Sequence, residues 1–165
     1  MAILVSDTSV LIDLSRGELL EQVFSSGLTF VVPDFLYQNE LEDTNGPYLQ
    51  KLGLGVLATN GHEMTLVQAI RASRNSLSLP DCSALVCALR QDHILLTGDG
   101  DLREEAISRG VEVRGLLWLL DQLEASGHIQ PLILHTALSQ ISNHKRCWLP
   151  RQEVANRLRR WNQGG

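Results

Sequence analysis

Short apolar runs alternate, through the first two thirds of the chain, with stretches in which apolar residues recur every three or four positions. Ile3-Leu4-Val5 ends at Ser6-Asp7 and predicts a first strand. "LTFVV" (28–32), closed by Pro33, predicts a second, and "GVLAT" (55–59) a third. "HILLT" (93–97) and "VEVR" (111–114) predict the fourth and fifth. Helical spacing fills the intervals. Residues 8–26 read as one kinked helix or two short ones, broken near Gly17, and 34–43 as a helix. So do 62–74, 80–92, where Pro80 suits a first turn, and 101–110, stopped by Gly110. Asn45-Gly46-Pro47 reads as a turn. After Gly115 the pattern is purely helical, over 116–126, 131–142 and 150–161.

Strands alternating with helices at this spacing predict an α/β fold with a parallel sheet covered on both faces. A length of 165 residues, 44% hydrophobic and 20% charged, suits one soluble globular domain. The amino terminus lacks a secretory pattern, and no apolar stretch approaches the ~20 residues that span a bilayer, so a cytoplasmic location is expected. Three cysteines without CxxC spacing exclude a disulfide framework or thiolate zinc site. Cys82 and Cys87 fall in an apolar helical pattern and read as core. The five histidines are scattered and read as structural or solvated.

Charge is unevenly spread. Residues 1–142 carry 8 Lys or Arg against 18 Asp or Glu, a net of −10; residues 143–165 carry 6 against 1, a net of +5. Such a tail either meets an anionic partner or neutralises its own acidic domain, and both readings stay open. Trp148 and Trp161 lie in it. They would stack on bases or, more commonly, anchor a terminal helix in the core.

The stretch "LLTGDGDLR" (95–103) ends an apolar strand in two carboxylates and two glycines. In an open parallel sheet, ligands bind beyond the carboxyl ends of the strands. Asp7 follows strand one directly, and Asp99 and Asp101 follow strand four, so neighbouring strands would bring all three together. Asp81, at a helix start, and Glu40, on the helix after strand two, are within reach. Taken alone, Asp81 is a residue favoured by the helix macrodipole, and Glu40 a solvated helical glutamate. Clustered carboxylates raise one another's pKa unless a divalent cation neutralises them. An all-oxygen set favours Mg²⁺ or Mn²⁺ over Zn²⁺, which suits phosphoryl transfer or phosphodiester hydrolysis.

"ILVSDTSVLIDL", Glu40, "LSLPDCSALVCA" and "ILLTGDGDLR", in that order and spacing, resemble the PIN-domain family over roughly residues 2–115. The helical stretch opening "GLLWLLDQLEASGHI" resembles a subfamily with a carboxyl-terminal extension. The resemblance implies a three-layer α/β/α fold with a five-stranded parallel sheet ordered 3-2-1-4-5. It divides the chain into a PIN-like domain, 1–115, and a helical extension, 116–165, packed on it, with a basic tail over 143–165. It implies a metal-dependent ribonuclease like the VapC-like toxins of toxin–antitoxin pairs. Position by position, Asp7, Glu40, Asp81 and Asp99 match the four family acids, and Asp101 an additional one. Thr8, Ser9 and Thr97 match hydroxyls that support the metal and the acidic loop. Glu42 and Asp43 lie beside Glu40, but helical spacing puts Glu40 on the face of Leu36 and Tyr37.

From this follow the expected roles. Asp7, Asp81 and Asp99 hold Mg²⁺ or Mn²⁺, Glu40 and Asp101 complete the site, and Asp99 or Asp101 accepts the proton of the attacking water. The substrate is single-stranded RNA. Lys145, Arg146, Arg151 and Arg157 are candidates to bind it. A homodimer, with helices 116–126 and 131–142 at an interface or in the core, and an antitoxin protein are the expected partners; no membrane is expected. A haloacid-dehalogenase-like phosphatase needs a second acid where Ser9 stands, and a receiver domain needs a strand-end lysine that Lys51 and Lys145 do not supply. A PIN-like binding module without catalysis remains the alternative.

Overall fold

The five apolar runs become the five strands of one sheet in the computed structural model of the protein, which describes residues 2–163. Met1, Gly164 and Gly165, at the outer ends of the two expected units and of the basic tail, lie outside the described residues. The strands are β1 (Ile3–Ser6), β2 (Thr29–Pro33), β3 (Gly55–Leu57), β4 (His93–Leu96) and β5 (Glu112–Arg114). They pair in the order 3-2-1-4-5, all parallel, with Ser6 opposite Leu96 at the carboxyl ends of β1 and β4. Continuous apolar runs are what a sheet buried on both faces requires.

The helices are α1 (Thr8–Arg16), α2 (Leu20–Phe24), α3 (Asp34–Leu36) and α4 (Gly46–Leu52), then α5 (Gly61–Ser73), α6 (Leu79–Ala88) and α7 (Gly100–Ser108). α8 (Leu116–Ala125), α9 (Pro131–Ser142) and α10 (Arg151–Gln163) follow. Every residue of α6 from Cys82 to Ala88 is buried, because α6 lies between the sheet and its neighbours α3, α5 and α7. A helix apolar all round is one buried all round.

One expected break and two differences from the sequence pattern have local causes. Gly17 does divide residues 8–26 into two helices; a Cβ there would lie 2.8 Å from Ile141 Cδ1, so the glycine lets α9 close onto α1. The segment read as a turn at 45–47 instead opens α4, with Pro47 in its first turn where no N–H is needed. The helix expected over 34–43 is α3 followed by a π-helical turn, Tyr37–Leu41, closed by the Glu42 N–H donating to the Tyr37 carbonyl at 2.8 Å.

α8, α9 and α10 bury Leu119, Leu120, Leu134, Leu138, Ile141 and Trp161 in the same hydrophobic cluster as the sheet. Trp161 is fully buried, so of its two readings the core anchor holds. Arg157 grips Asp121 with Nε to Oδ1 at 2.9 Å and Nη2 to Oδ2 at 2.7 Å. Arg160 reaches Glu124 at 2.6 Å and Asp121 at 2.9 Å. Much of the tail's positive charge therefore neutralises α8. Among the described residues no helix is long and apolar enough to cross a membrane.

Candidate active site

Pairing Ser6 with Leu96 brings the next residues, Asp7 and Thr97, side by side at the carboxyl edge of the sheet. Both are buried. Asp7 caps α1: Oδ1 accepts the Val10 N–H at 3.0 Å and the Ser9 hydroxyl at 2.7 Å, while Oδ2 accepts the Thr97 hydroxyl. Thr97 Oγ1 in turn accepts the Asp99 N–H at 3.0 Å. Asp99 caps α7, its Oδ1 accepting the Asp101 and Leu102 N–H groups at 2.8 and 3.1 Å. Asp81 is the third residue of α6 and closes a capping box with Ser78, donating its N–H at 3.1 Å and accepting the Ser78 N–H at 3.3 Å. Three helix amino termini thus meet at one edge, and each favours the negative charge beside it.

Glu40 completes the set from the π-helical turn, whose extra residue resets its direction relative to Leu36 and Tyr37, both of which stay buried. A cavity of about 460 Å³ is lined by Asp7, Thr8, Ser9, Glu40, Asp81 and Asp99, and also by Asp13, Arg16, Arg146 and Trp148. The structure thereby gathers four expected acids and two expected hydroxyls; Thr97 stands behind Asp7. Asp101 is not brought in. With Asp99 as the cap of α7, Asp101 is the second helical residue, and its carboxylate pairs with Arg74 at 3.4 Å. Among the basic candidates Arg146 lines the cavity, whereas Lys145 and Arg151 line a separate one between residues 142–149 and α10. Arg157 is held by Asp121 at 2.7 Å and lines a further cavity, not the acidic one.

Burial pushes the Asp7 carboxyl above the ordinary carboxylate range. The Thr97 hydroxyl, the Val10 N–H and the Ser9 hydroxyl oppose this, and Asp81 adds to it. Burial also raises Glu40; the nearby Thr8 hydroxyl counters, and Asp81 and Asp7 raise it further. Asp13 is raised by burial, against the pull of Arg16, with Asp7 adding to the rise. Removing water from around like charges has this effect, and a cation would reverse it.

The donor set fits a hard divalent cation: it is all oxygen, and the Thr8 hydroxyl is buried at the cavity wall without a hydrogen-bond partner. Glu40 keeps both carboxylate oxygens, Asp99 its Oδ2 and Asp81 its Oδ1 uncommitted among the described residues. As they stand, no three His, Cys, Asp or Glu side chains among the described residues converge closely enough to hold an ion. The carboxylates ring the cavity, as uncompensated negative charges do.

Asp13 and Arg16 were not among the expected site residues, and Trp148 was read only as a base-stacking or core residue of the tail. For the first two a signal exists: Ser9, Asp13 and Arg16 are spaced to share one face of α1, and Asp13 pairs with Arg16 at 3.6 Å. Trp148 arrives through the connector between α9 and α10, which local spacing does not place.

A family model described as a PIN domain (DUF3368) matches residues 3–163, nearly the whole chain. No curated protein matches the chain.

Proposed function

Because the chain belongs to the PIN-domain family, whose members are generally nucleases, we propose that it is a Mg²⁺- or Mn²⁺-dependent endoribonuclease acting on single-stranded RNA. The observation that carries this reading is the meeting of Asp7, Glu40, Asp81 and Asp99 around one cavity at the carboxyl edge of β1 and β4.

Asp7, Asp81 and Asp99 would hold the ion, with Glu40 on the same cavity wall completing the site. A divalent ion bound there supplies charge neutralisation at the phosphoryl oxygens and lowers the pKa of a bound water. The protein does the rest. Ser9, Thr97 and the Val10 N–H fix both Asp7 oxygens, so that carboxylate is oriented in advance. The amino-terminal ends of α1, α6 and α7, whose first-turn N–H groups are capped by Asp7, Ser78 and Asp99, favour negative charge at this edge. Glu40, at the cavity wall beside the Thr8 hydroxyl and raised by burial, is the group placed to take a proton from the attacking water. Asp101, turned to Arg74, is not.

The toxin role follows from the resemblance of the acid motifs to VapC-like toxins. It predicts an antitoxin protein encoded beside this chain and a homodimer; Leu132 and Ile133 on α9 are the outward apolar side chains available to such an interface. A cytoplasmic location belongs to the same reading. The test is calorimetric titration with Mn²⁺ of the wild type and of Asp81→Asn, alongside cleavage of a labelled single-stranded RNA. Saturable binding that weakens strongly in the variant, with cleavage that needs the cation, upholds the reading. A second reading, a PIN-like protein- or RNA-binding module without catalysis, draws on the spread of the carboxylates. Mn²⁺ binding no better in the wild type than in Asp81→Asn, with no cleavage, would select it.

A further inference from the structure

The acidic cavity does not end at the carboxylates. It adjoins a second cavity of about 580 Å³, and the two share Asp13, Gly98, Trp148 and Leu149 in their walls. Trp148 is 86% exposed, while its neighbour Leu149 packs against the core and holds the connector in place. An indole this exposed gains nothing from the fold. It is a flat apolar face on the ridge between two polar hollows.

Around that ridge Arg16 and Arg157 are paired with Asp13 and Asp121, but two other arginines are not paired with carboxylates among the described residues. On the acidic surface most arginines are engaged by carboxylates: Arg74 with Asp101, Glu104 and Glu105, Arg90 with Glu63, Arg109 with Glu105, Arg157 with Asp121, and Arg160 with Glu124. Arg146, on the acidic side of Trp148, and Arg103, on the far side, have no carboxylate partner among the described residues. Arg103 is admitted by a glycine: a Cβ on Gly115 would stand 3.3 Å from its Nη2, beside the carbonyl of Thr97. Arg114 lines the same second cavity. Its guanidinium lies 5.9 Å from the ring centroid of Trp118, and among the described residues its only carboxylate contact is a solvated pair with Glu112 at 3.7 Å.

We propose that these residues form a strand-exit subsite: a single-stranded polynucleotide leaves the acidic cavity across Trp148, one base stacked on the indole, and Arg103 and Arg114 take the phosphate beyond it. The alternation of guanidinium, indole and guanidinium matches the phosphate–base–phosphate repeat of an unpaired strand. A duplex has no free base face to offer Trp148. The subsite rests on the nuclease reading for its direction but not for its existence, since it holds none of the four acids' chemistry.

The experiment is fluorescence anisotropy of a fluorescein-labelled short oligouridylate with the full chain in EDTA, over a range of salt, with intrinsic tryptophan emission recorded in parallel. Trp148→Ala is expected to weaken binding about tenfold and to abolish quenching of the emission by the oligonucleotide. Arg103→Ala is expected to lower the slope of log affinity against log salt by about 0.7, the contribution of one phosphate contact on a single strand. Arg159→Ala, exposed and outside both cavities, serves as the control and binds as the wild type. Binding by Trp148→Ala and Arg103→Ala equal to the wild type, or no binding by the wild type, overturns the subsite. Cleavage with Mn²⁺ by those same proteins would leave the nuclease reading standing. Trp148-dependent binding without cleavage in Mg²⁺ or Mn²⁺ would uphold the subsite and remove the nuclease.

Discussion

Thr97 donates its hydroxyl proton to Asp7 across the seam between β1 and β4 and accepts the Asp99 N–H with the same oxygen at 3.0 Å. Ninety residues separate Thr97 from Asp7, yet one hydroxyl ties two of the four acids of the site together. The tie depends on sheet order, because only adjacent β1 and β4 bring these strand ends into contact.

Thr97→Val keeps the shape and removes the bridge. It leaves the buried Asp7 Oδ2 and the Asp99 N–H unpaired, and should cost about 1–3 kcal/mol of stability in urea denaturation. Cleavage should fall at least tenfold, with Thr97→Ser restoring most of both. A valine variant that melts and cleaves like the wild type would mean that the bridge orients nothing.

Much of this was legible in the sequence, because a parallel sheet demands continuous apolar runs and its strand ends are where polar residues gather. The five strands, and the meeting of Asp7, Glu40, Asp81 and Asp99, follow from those two facts plus the family's strand order. Asp101 does not line the acidic cavity, because once Asp99 caps α7 the residue two places on turns toward Arg74 at the end of α5; position alone does not reveal that direction. The π-helical turn at Tyr37–Leu41 was equally invisible, since no residue type demands it. Of the two readings of the basic tail, neutralisation of its own domain is visible, with Arg157 and Arg160 paired to α8 and Arg146 sharing a cavity with the acids.

Glu40 and its neighbours provide a direct discrimination. Glu40→Gln should reduce cleavage at least a hundredfold, in the range expected for loss of a general base, with the melting temperature little changed. Glu42→Gln and Asp101→Asn should cleave within a factor of a few of the wild type, since neither lines the acidic cavity. Loss of cleavage in Asp101→Asn comparable to that in Glu40→Gln would reverse these roles.

The extension is expected to melt with the sheet as one unit. Trp161 on α10 is fully buried, α10 packs on α9, and α9 packs on α1, whose first residue lines the acidic cavity. Trp161→Ala should cost about 3–5 kcal/mol, typical of deleting a buried aromatic side chain. Trp161→Phe should cost much less, because it also removes an indole N–H that is buried without a partner among the described residues. Far-ultraviolet circular dichroism and tryptophan emission should report one coincident transition; two separate ones would detach the extension from the domain.

The pH dependence of stability has a definite sign. Burial raises the Asp7 carboxyl in the folded protein above the ordinary 3.8. Between that value and the raised one, the folded state holds the proton and the unfolded state does not. Lowering the pH from neutral through the folded value therefore stabilises the protein, by up to about 1.4 kcal/mol for each pH unit inside the window. Glu40 and Asp13, also raised mainly by burial, add in the same direction. Glu63, held low by the Arg90 guanidinium, acts oppositely, but its contribution is lost only below its ordinary 4.5. Subtracting the urea stability of Asp7→Asn from that of the wild type, both in EDTA, isolates Asp7, because asparagine caps a helix about as well. The difference should grow in favour of the wild type as the pH falls from neutral toward 4.5. Mn²⁺ at neutral pH relieves the same burial of charge, so it should stabilise the wild type more than Asp7→Asn. A difference that stays flat or runs the other way would mean that Asp7 is not the strained carboxylate at the centre of the site.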